Sequence, residues 1–188
     1  YKLIEDFVKY TMGESAFNSD VKTRDQKIDT ATQAYIKAKE YEIDPILFLS
    51  LIHQESSLGT KANINVAQVF SDPVQEYNAA NNADIEYPFK NPEDSLEVGA
   101  WYLKEQLTEY LGGEFFGKWT NKEAPEEIQE FQNTIKNYLS IQTNDLKELS
   151  EVFKTELKNN LKNPTNEYLT AIAIGAYNEG ANGLAETQ

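Results

Sequence analysis

The stretch that decides the fold is Asp44-Pro45-Ile46-Leu47-Phe48-Leu49-Ser50-Leu51-Ile52-His53-Gln54-Glu55-Ser56-Ser57. Asp44 is a good helix N-cap, and Pro45 suits the first helical position because its missing N–H is not needed there. The residues that follow are apolar on almost every side of a helix. We therefore expect this helix to lie inside the protein.

Glu55 comes at the end of this predicted helix. It follows Ile52 by three positions and Leu51 by four, so it shares their apolar face. A carboxylate beside such a face is poorly solvated, which raises its pKa. A carboxylic acid that keeps its proton near neutral pH is able to protonate a leaving oxygen, as glycosidic cleavage requires. The competing interpretation is a polar helix end that turns to solvent.

The composition restricts the function. With 188 residues, 40% of them hydrophobic, the chain is long enough for one domain with a real core. A net charge of -14 argues against binding to nucleic acid or to anionic lipid, and no segment is apolar enough to insert into a membrane. The absence of Cys excludes disulfides and thiolate metal sites. Because the chain begins at Tyr1 rather than Met, we expect a processed piece of a longer protein.

Apolar residues recur with helical spacing along nearly the whole chain, and no segment alternates as a strand does. We therefore predict an all-α domain of seven or eight helices. Residues 11–20 and 58–91 are polar and predict loops, of which the second is long enough to be functional. Asn91 and Pro92 begin a helix that Gly112-Gly113 is expected to end. Other helices are expected at about 22–41, from Pro125, over 146–161, and after a cap at Thr165 or Asn166.

Four segments resemble, in order, motifs of one enzyme family. Glu55-Ser56-Ser57-Leu58 resembles the Glu-Ser motif of goose-type lysozymes and soluble lytic transglycosylases. Asn65-Val66-Ala67-Gln68-Val69 is similar to their Gly-Leu-Met-Gln segment, although Asn65 replaces the Gly and Val66-Ala67 replace a bulkier pair. Ala176-Tyr177-Asn178-Glu179-Gly180 resembles their Ala-Tyr-Asn-x-Gly motif, and residues 91–103 resemble their structural helix.

The resemblance implies a lysozyme-like helical fold with a central substrate cleft. Residues 1–188 would form one catalytic domain. Its core motifs would lie in 40–111 and 165–184, and about 113–163 would be a helical insertion. Because this family degrades the cell wall, the resemblance also implies a location outside the cytoplasm, in the periplasm or cell wall, as a secreted protein, or on a phage particle.

The resemblance also implies residue roles on peptidoglycan glycan strands. Glu55 would be the single acid/base of a lytic transglycosylase that cleaves the β-1,4 bond between N-acetylmuramic acid and N-acetylglucosamine and leaves a 1,6-anhydro ring. The Tyr177 hydroxyl would orient Glu55. Substrate-binding positions would be Ser56, which would alternatively support the loop, together with Gln68, Val69 and Asn178. No metal or cofactor is expected.

Alternatives remain open for several of these residues. A muramidase would use water instead of the sugar's own hydroxyl, and Asp72 is the candidate to position it; an ordinary turn residue is the simpler interpretation. The altered 65–69 segment also suits a glycan-binding module with weakened activity. A third alternative is a component of a secretion, conjugation or phage machine, docked through 113–163. Without the resemblance, Tyr177 is an ordinary core tyrosine and Asn178 a helix C-cap.

Four other residues attract attention and are assigned ordinary roles. Glu14-Ser15 repeats the Glu-Ser pattern, but no buried helix precedes it, so Glu14 is expected on the surface. His53, the single histidine, is expected to pack rather than to bind a metal. Trp101 and Trp119 are expected to fill the core rather than to stack on sugars.

Overall fold

The computed structural model describes residues 1–119 and 124–179, without the side chain of Glu179. These residues form ten α-helices and no strand, so the all-α prediction is confirmed, with more helices than the seven or eight expected. The helices are α1 Lys2–Met12, α2 Glu14–Ser19, α3 Val21–Glu40, α4 Pro45–Ser56, α5 Ser71–Asn81, α6 Pro92–Trp101, α7 Leu107–Phe115, α8 Glu126–Tyr138, α9 Leu146–Lys162 and α10 Glu167–Glu179. A π-helical segment covers Tyr102–Gln106 and a 3₁₀ turn covers Gly117–Trp119.

The chain divides into two compact units, Tyr1–Tyr102 and Leu103–Gln188. The first contains α1 to α6, and the second contains α7 to α10. The prediction of a single lysozyme-like domain over 1–188 stays a prediction, as does an insertion at 113–163. No helix in the described ranges combines the length and apolar character needed to cross a bilayer.

The first unit is built around α3, which packs against α1, α2, α4 and α6. Ala31, Ala34 and Ala38 follow one another at helical spacing on α3, and none of them is exposed. Small side chains allow neighbouring helices to approach closely, so the apolar residues of α4 are buried in this unit. The predicted cap is confirmed, because the Asp44 carboxylate accepts a hydrogen bond from the Leu47 N–H at 2.9 Å.

Two predicted loops are wrong in part. Residues 11–20 contain the end of α1 and all of α2. The two helices are separated by one residue, Gly13, which has φ 79. Residues 58–91 contain α5, whose buried apolar side chains are only Val74 and Tyr77. Two apolar residues are too few to produce a recognisable helical period.

The second unit has an aromatic core. Phe115 and Phe131 stack with ring centroids 4.0 Å apart, and Phe116 and Phe153 pack around them. These rings bring α7, α8 and α9 together with the 3₁₀ turn. The predicted starts are confirmed at α8 and α9, and Asn166 caps α10 by accepting a hydrogen bond from the Leu169 N–H at 3.1 Å.

Gly112-Gly113 does not end a helix, contrary to prediction, because both residues lie inside α7. A Cβ atom on Gly112 would come within 2.5 Å of the Lys154 side chain on α9. The Gly112 carbonyl also accepts a hydrogen bond from the Ser150 hydroxyl at 3.0 Å. Gly112 therefore serves the close packing of α7 on α9 rather than a helix stop.

Candidate functional site

Glu55 lies in the last turn of α4, on a helix whose Phe48, Leu51 and Ile52 are at most 1% exposed. Its own side chain is half-buried. Burial raises the pKa of Glu55 above its usual value, and no charge or hydrogen bond of the described residues contributes to the shift. Among the described residues, none gives the Glu55 carboxylate a hydrogen bond or an ion pair. Burial therefore disfavours the charged form of this carboxylate, and no described residue compensates for it.

The chain turns sharply after Glu55. Ser57, Leu58 and Gly59 have φ values of 53, 54 and 79, so three successive residues are left-handed. Ser56 is fully buried, and its hydroxyl donates to the Ile52 carbonyl at 3.1 Å and accepts from the Gly59 N–H at 3.0 Å. This is the loop-supporting role considered for Ser56. A direct contact of Ser56 with substrate stays a prediction.

The segment around Gln68 is organised by Asn65. The Asn65 side chain donates to the Val69 carbonyl at 2.8 Å and accepts from the Val69 N–H at 3.1 Å. Ser95 on α6 joins this arrangement, because its hydroxyl donates to the Asn65 side chain at 3.0 Å and accepts from the Ala67 N–H at 3.0 Å. Asn65, which departs from the family pattern, is thus the residue that fixes this segment.

Gln68 and Val69 are positioned by that arrangement. Gln68 has a left-handed backbone with φ 52, and its side-chain amide donates to the Asn65 carbonyl at 2.6 Å. Val69 is buried, and Asn65 occupies both of its backbone polar groups. Phe70 follows directly and is 69% exposed. Sequence reasoning treated Asn65 only as a departure from the motif it resembles, and it did not single out Ser95 or Phe70.

Asp72 lies in the first turn of α5 and is exposed. The turn interpretation is wrong, because Asp72 and Pro73 are both helical. Its carboxylate accepts a hydrogen bond from the Ser71 hydroxyl at 3.1 Å. Its role in positioning water stays a prediction.

Tyr177 and Asn178 lie near the end of α10, in the second unit. The Tyr177 side chain is half-buried and has an interaction partner, and Asn178 is exposed. Gly180, the end of the same motif, lies outside the described residues. The orientation of Glu55 by Tyr177 stays a prediction.

The remaining candidates occupy ordinary positions. Glu14 is on the surface, as predicted, where it pairs with Lys9 at 2.8 Å. Trp101 is 7% exposed and packs edge-on against Tyr77, which confirms its place in the core. Trp119 is half-buried and its indole N–H donates to the Glu114 carbonyl at 3.1 Å.

His53 is half-buried and packs edge-on against Phe7. Burial lowers its pKa, and the charges of Lys27 and Lys61 lower it further. Its Nδ1 atom is buried and makes no hydrogen bond to the described part of the chain. In that part of the chain, no three His, Asp or Glu side chains are grouped so as to hold a metal ion.

No family model matches this chain, and no curated protein or solved structure matches it.

Proposed function

We propose that this chain is a peptidoglycan lytic transglycosylase with Glu55 as its single acid/base. The observation that carries the proposal is the state of that carboxylate. It is half-buried at the end of a buried helix, burial raises its pKa, and no described residue pairs with it. An uncompensated carboxylate costs stability, and groups of this kind are concentrated at functional sites.

The proposed reaction needs one group that gives a proton and then takes one. Protonated Glu55 gives its proton to the glycosidic oxygen as the bond from that oxygen to C1 of N-acetylmuramic acid breaks. The substrate's N-acetyl oxygen stabilises the positive charge at C1. The Glu55 carboxylate then removes the proton of the C6 hydroxyl, whose oxygen bonds to C1 and closes the 1,6-anhydro ring. Glu55 ends protonated, ready for another cycle, and no second protein carboxylate is needed.

Glycan binding is assigned to the segment fixed by Asn65. This segment holds Gln68 in a strained left-handed conformation, which is typical of positions that serve binding. We assign the Gln68 and Asn178 amides to hydroxyl and N-acetyl groups of the sugar. The exposed ring of Phe70 adds a flat apolar surface suited to the face of a sugar ring. Tyr177 is assigned as the hydroxyl that orients Glu55.

The substrate implies where the protein works. Peptidoglycan lies outside the cytoplasmic membrane, so we propose an extracytoplasmic location, in the cell envelope, in secreted form or on a phage particle. Residues 113–163 are proposed as the surface that would dock to a cell-envelope machine. The net charge of -14 disfavours nucleic acid as a partner.

Digestion of purified peptidoglycan, with products resolved by mass spectrometry, tests the proposal. The unaltered chain is expected to release anhydro-muropeptides, and Glu55→Gln is expected to reduce the rate by about 10²- to 10⁴-fold. Glu14→Gln is the matched control, since it changes an exposed Glu-Ser pair in the same way, and it is expected to keep full activity.

The alternatives give different results in the same experiment. Products one water heavier would identify a muramidase, and Asp72→Asn would then be the next variant. If the unaltered chain and Glu55→Gln both sediment with peptidoglycan but release nothing, the chain is a binding module and the proposal is wrong.

A further inference from the structure

The left-handed turn after α4 is an unusual place to find non-glycine residues. Ser57 and Leu58 both have positive φ, and Leu58 is fully buried. Left-handed backbone costs a non-glycine residue about 1–2 kcal/mol, so such a turn persists only where its surroundings hold it. A Cβ atom on Gly59 would come within 2.8 Å of the Thr30 hydroxyl on α3, so the turn is also pressed against that helix.

Two neighbouring residues of α3 hold the turn by its carbonyl groups. The Lys27 ammonium donates to the Ser57 carbonyl at 2.6 Å and to the Ser57 hydroxyl at 3.1 Å. The Gln26 side-chain amide donates to the Gly59 carbonyl at 2.8 Å. Both bonds join positions about thirty residues apart in sequence. They therefore fix the turn at the end of α4 to α3.

Lys27 is an unusual anchor because its side chain is only 5% exposed. Within the described ranges, no carboxylate contacts its ammonium group, and burial lowers the pKa of Lys27, with a further contribution from Lys61. A buried lysine without a counter-ion is costly. Its position is nevertheless favourable in one respect, since the carbonyl end of α4 carries the negative end of the helix dipole.

We propose that Lys27 is a positioning residue for Glu55: its hydrogen bonds to Ser57 hold the left-handed turn, and the turn keeps the last residues of α4 and the Glu55 carboxylate partly out of water. The effect on turnover rests on the proposed function, whereas the effect on the environment of Glu55 does not. Lys27 acts here through geometry, because the residue that it binds, Ser57, lies two positions after Glu55. It has no part in proton transfer.

A geometric role and an electrostatic role predict opposite results. Among the described residues, no charge contributes to the shift of the Glu55 pKa, which burial raises. If Lys27 acted by its charge, its removal would raise that pKa. If Lys27 holds the turn, its removal admits water to Glu55 and lowers the pKa. A residue that only stabilised the fold would leave the pKa unchanged.

The test is the ¹³C NMR titration of the Glu55 carboxyl carbon in the full chain, before and after Lys27→Met. Methionine keeps the buried aliphatic volume and removes the donor. We expect the pKa of Glu55 to fall toward that of a free glutamate. Lys61→Met is the matched control, because it removes an exposed lysine from the same neighbourhood without removing a bond to the turn. It is expected to leave the titration of Glu55 unchanged.

Gln26→Ala provides a second variant. Gln26 is exposed, so its replacement is compatible with folding, and it removes the other anchor of the turn. We expect a smaller shift of the Glu55 pKa in the same direction, and this variant decides the question if Lys27→Met does not fold. An unchanged or raised pKa in the folded variants would overturn the proposal.

Peptidoglycan digestion by the same variants separates this proposal from the proposed function. We expect Lys27→Met to lower kcat about tenfold or more while KM changes little, because a misplaced acid slows chemistry rather than binding. If the unaltered chain releases no products but the pKa of Glu55 still falls in Lys27→Met, the positioning role stands and the enzymatic function fails. If the chain is active and that pKa does not fall, the positioning role fails and the enzymatic function stands.

Discussion

Two half-buried glutamates of the first unit have opposite electrostatic environments. At the end of α4, burial raises the pKa of Glu55, and none of the described residues offsets it. At the junction of α3, α5 and α6, burial acts in the same direction on Glu97, but its donors outweigh it and lower the pKa. The Glu97 carboxylate accepts from the Lys37 ammonium at 2.6 Å, from the Tyr77 hydroxyl at 2.8 Å, and from the Tyr41 hydroxyl.

The contrast shows that partners, rather than the degree of burial, decide the direction of the pKa shift at these two carboxylates. Glu97 stays ionised and ties three helices together, which is a structural role. Glu55 sits at a turn held by many hydrogen bonds, yet none of the described residues binds its carboxylate. The fold therefore positions Glu55 without giving its carboxylate a partner among the described residues, as the proposed acid/base role requires.

The largest effect is expected from Glu97→Gln, which would remove the charge partner of Lys37. We expect a loss of about 3 kcal/mol in the free energy of unfolding, at the lower end of the cost of breaking a buried ion pair, because Lys37 keeps Glu40 as a partner. Denaturant unfolding measures it. Glu93→Gln, one turn earlier on α6 and exposed, is the control and should change stability by less than about 0.5 kcal/mol. Equal effects of the two variants would make Glu97 an ordinary surface residue.

A smaller effect is expected from Gly59→Ala, which alters the turn beside Glu55. The new Cβ atom would meet Thr30, and the backbone would be held at φ 79, so we expect a loss of about 2 kcal/mol. Gly113→Ala is the control, since Gly113 lies inside α7 with open space around its Cβ position, and no loss is expected because alanine is favoured over glycine in a helix. Thermal unfolding of both variants compares them. A cost at Gly59 no larger than at Gly113 would show that neither the positive φ nor the contact with Thr30 constrains Gly59.

The smallest effect is expected from Glu55→Gln on stability, and its sign is opposite to that of Glu97→Gln. Because the folded-state pKa of Glu55 is raised, folding is penalised above the ordinary value of 4.5, and the penalty is complete above the folded-state pKa. Glu55→Gln should therefore stabilise the protein slightly at pH 7. The gain should disappear as the pH falls below 4.5. Thermal unfolding across this pH range measures it, and a loss of stability at pH 7 would contradict the assignment of Glu55 as an unpaired carboxylate.

Much of the helical framework could be predicted from the sequence. Long apolar periods and strong caps identified α3, α4, α6, α8, α9 and α10, because these signals are local. The helices that were missed have few apolar residues, as in α5, or lie beside a single glycine, as in α2. The role of Gly112 could not be predicted from its neighbours in sequence. A side chain at this position would collide with Lys154, which is forty-two positions later in the chain.

In the candidate site, too, local features could be predicted from the sequence and long-range contacts could not. The burial of Glu55 followed from its spacing on an apolar helix, and the structure places it as that spacing predicts. The anchoring of its turn by Lys27 could not be predicted, because the two segments are separated by thirty positions and a buried lysine has no sequence signature. The organising role of Asn65 was hidden for a similar reason, since it depends on Ser95.

The most direct measurement is the ¹³C NMR titration of Glu55 and Glu97 in one sample of the unaltered chain, with Glu55→Gln and Glu97→Gln spectra to assign the two carboxyl carbons. We predict that Glu55 titrates above the ordinary glutamate value of 4.5 and Glu97 below it. If the pKa of Glu55 is equal to or below the pKa of Glu97, the Glu55 carboxylate is not held as a proton donor, and its proposed acid/base role is wrong.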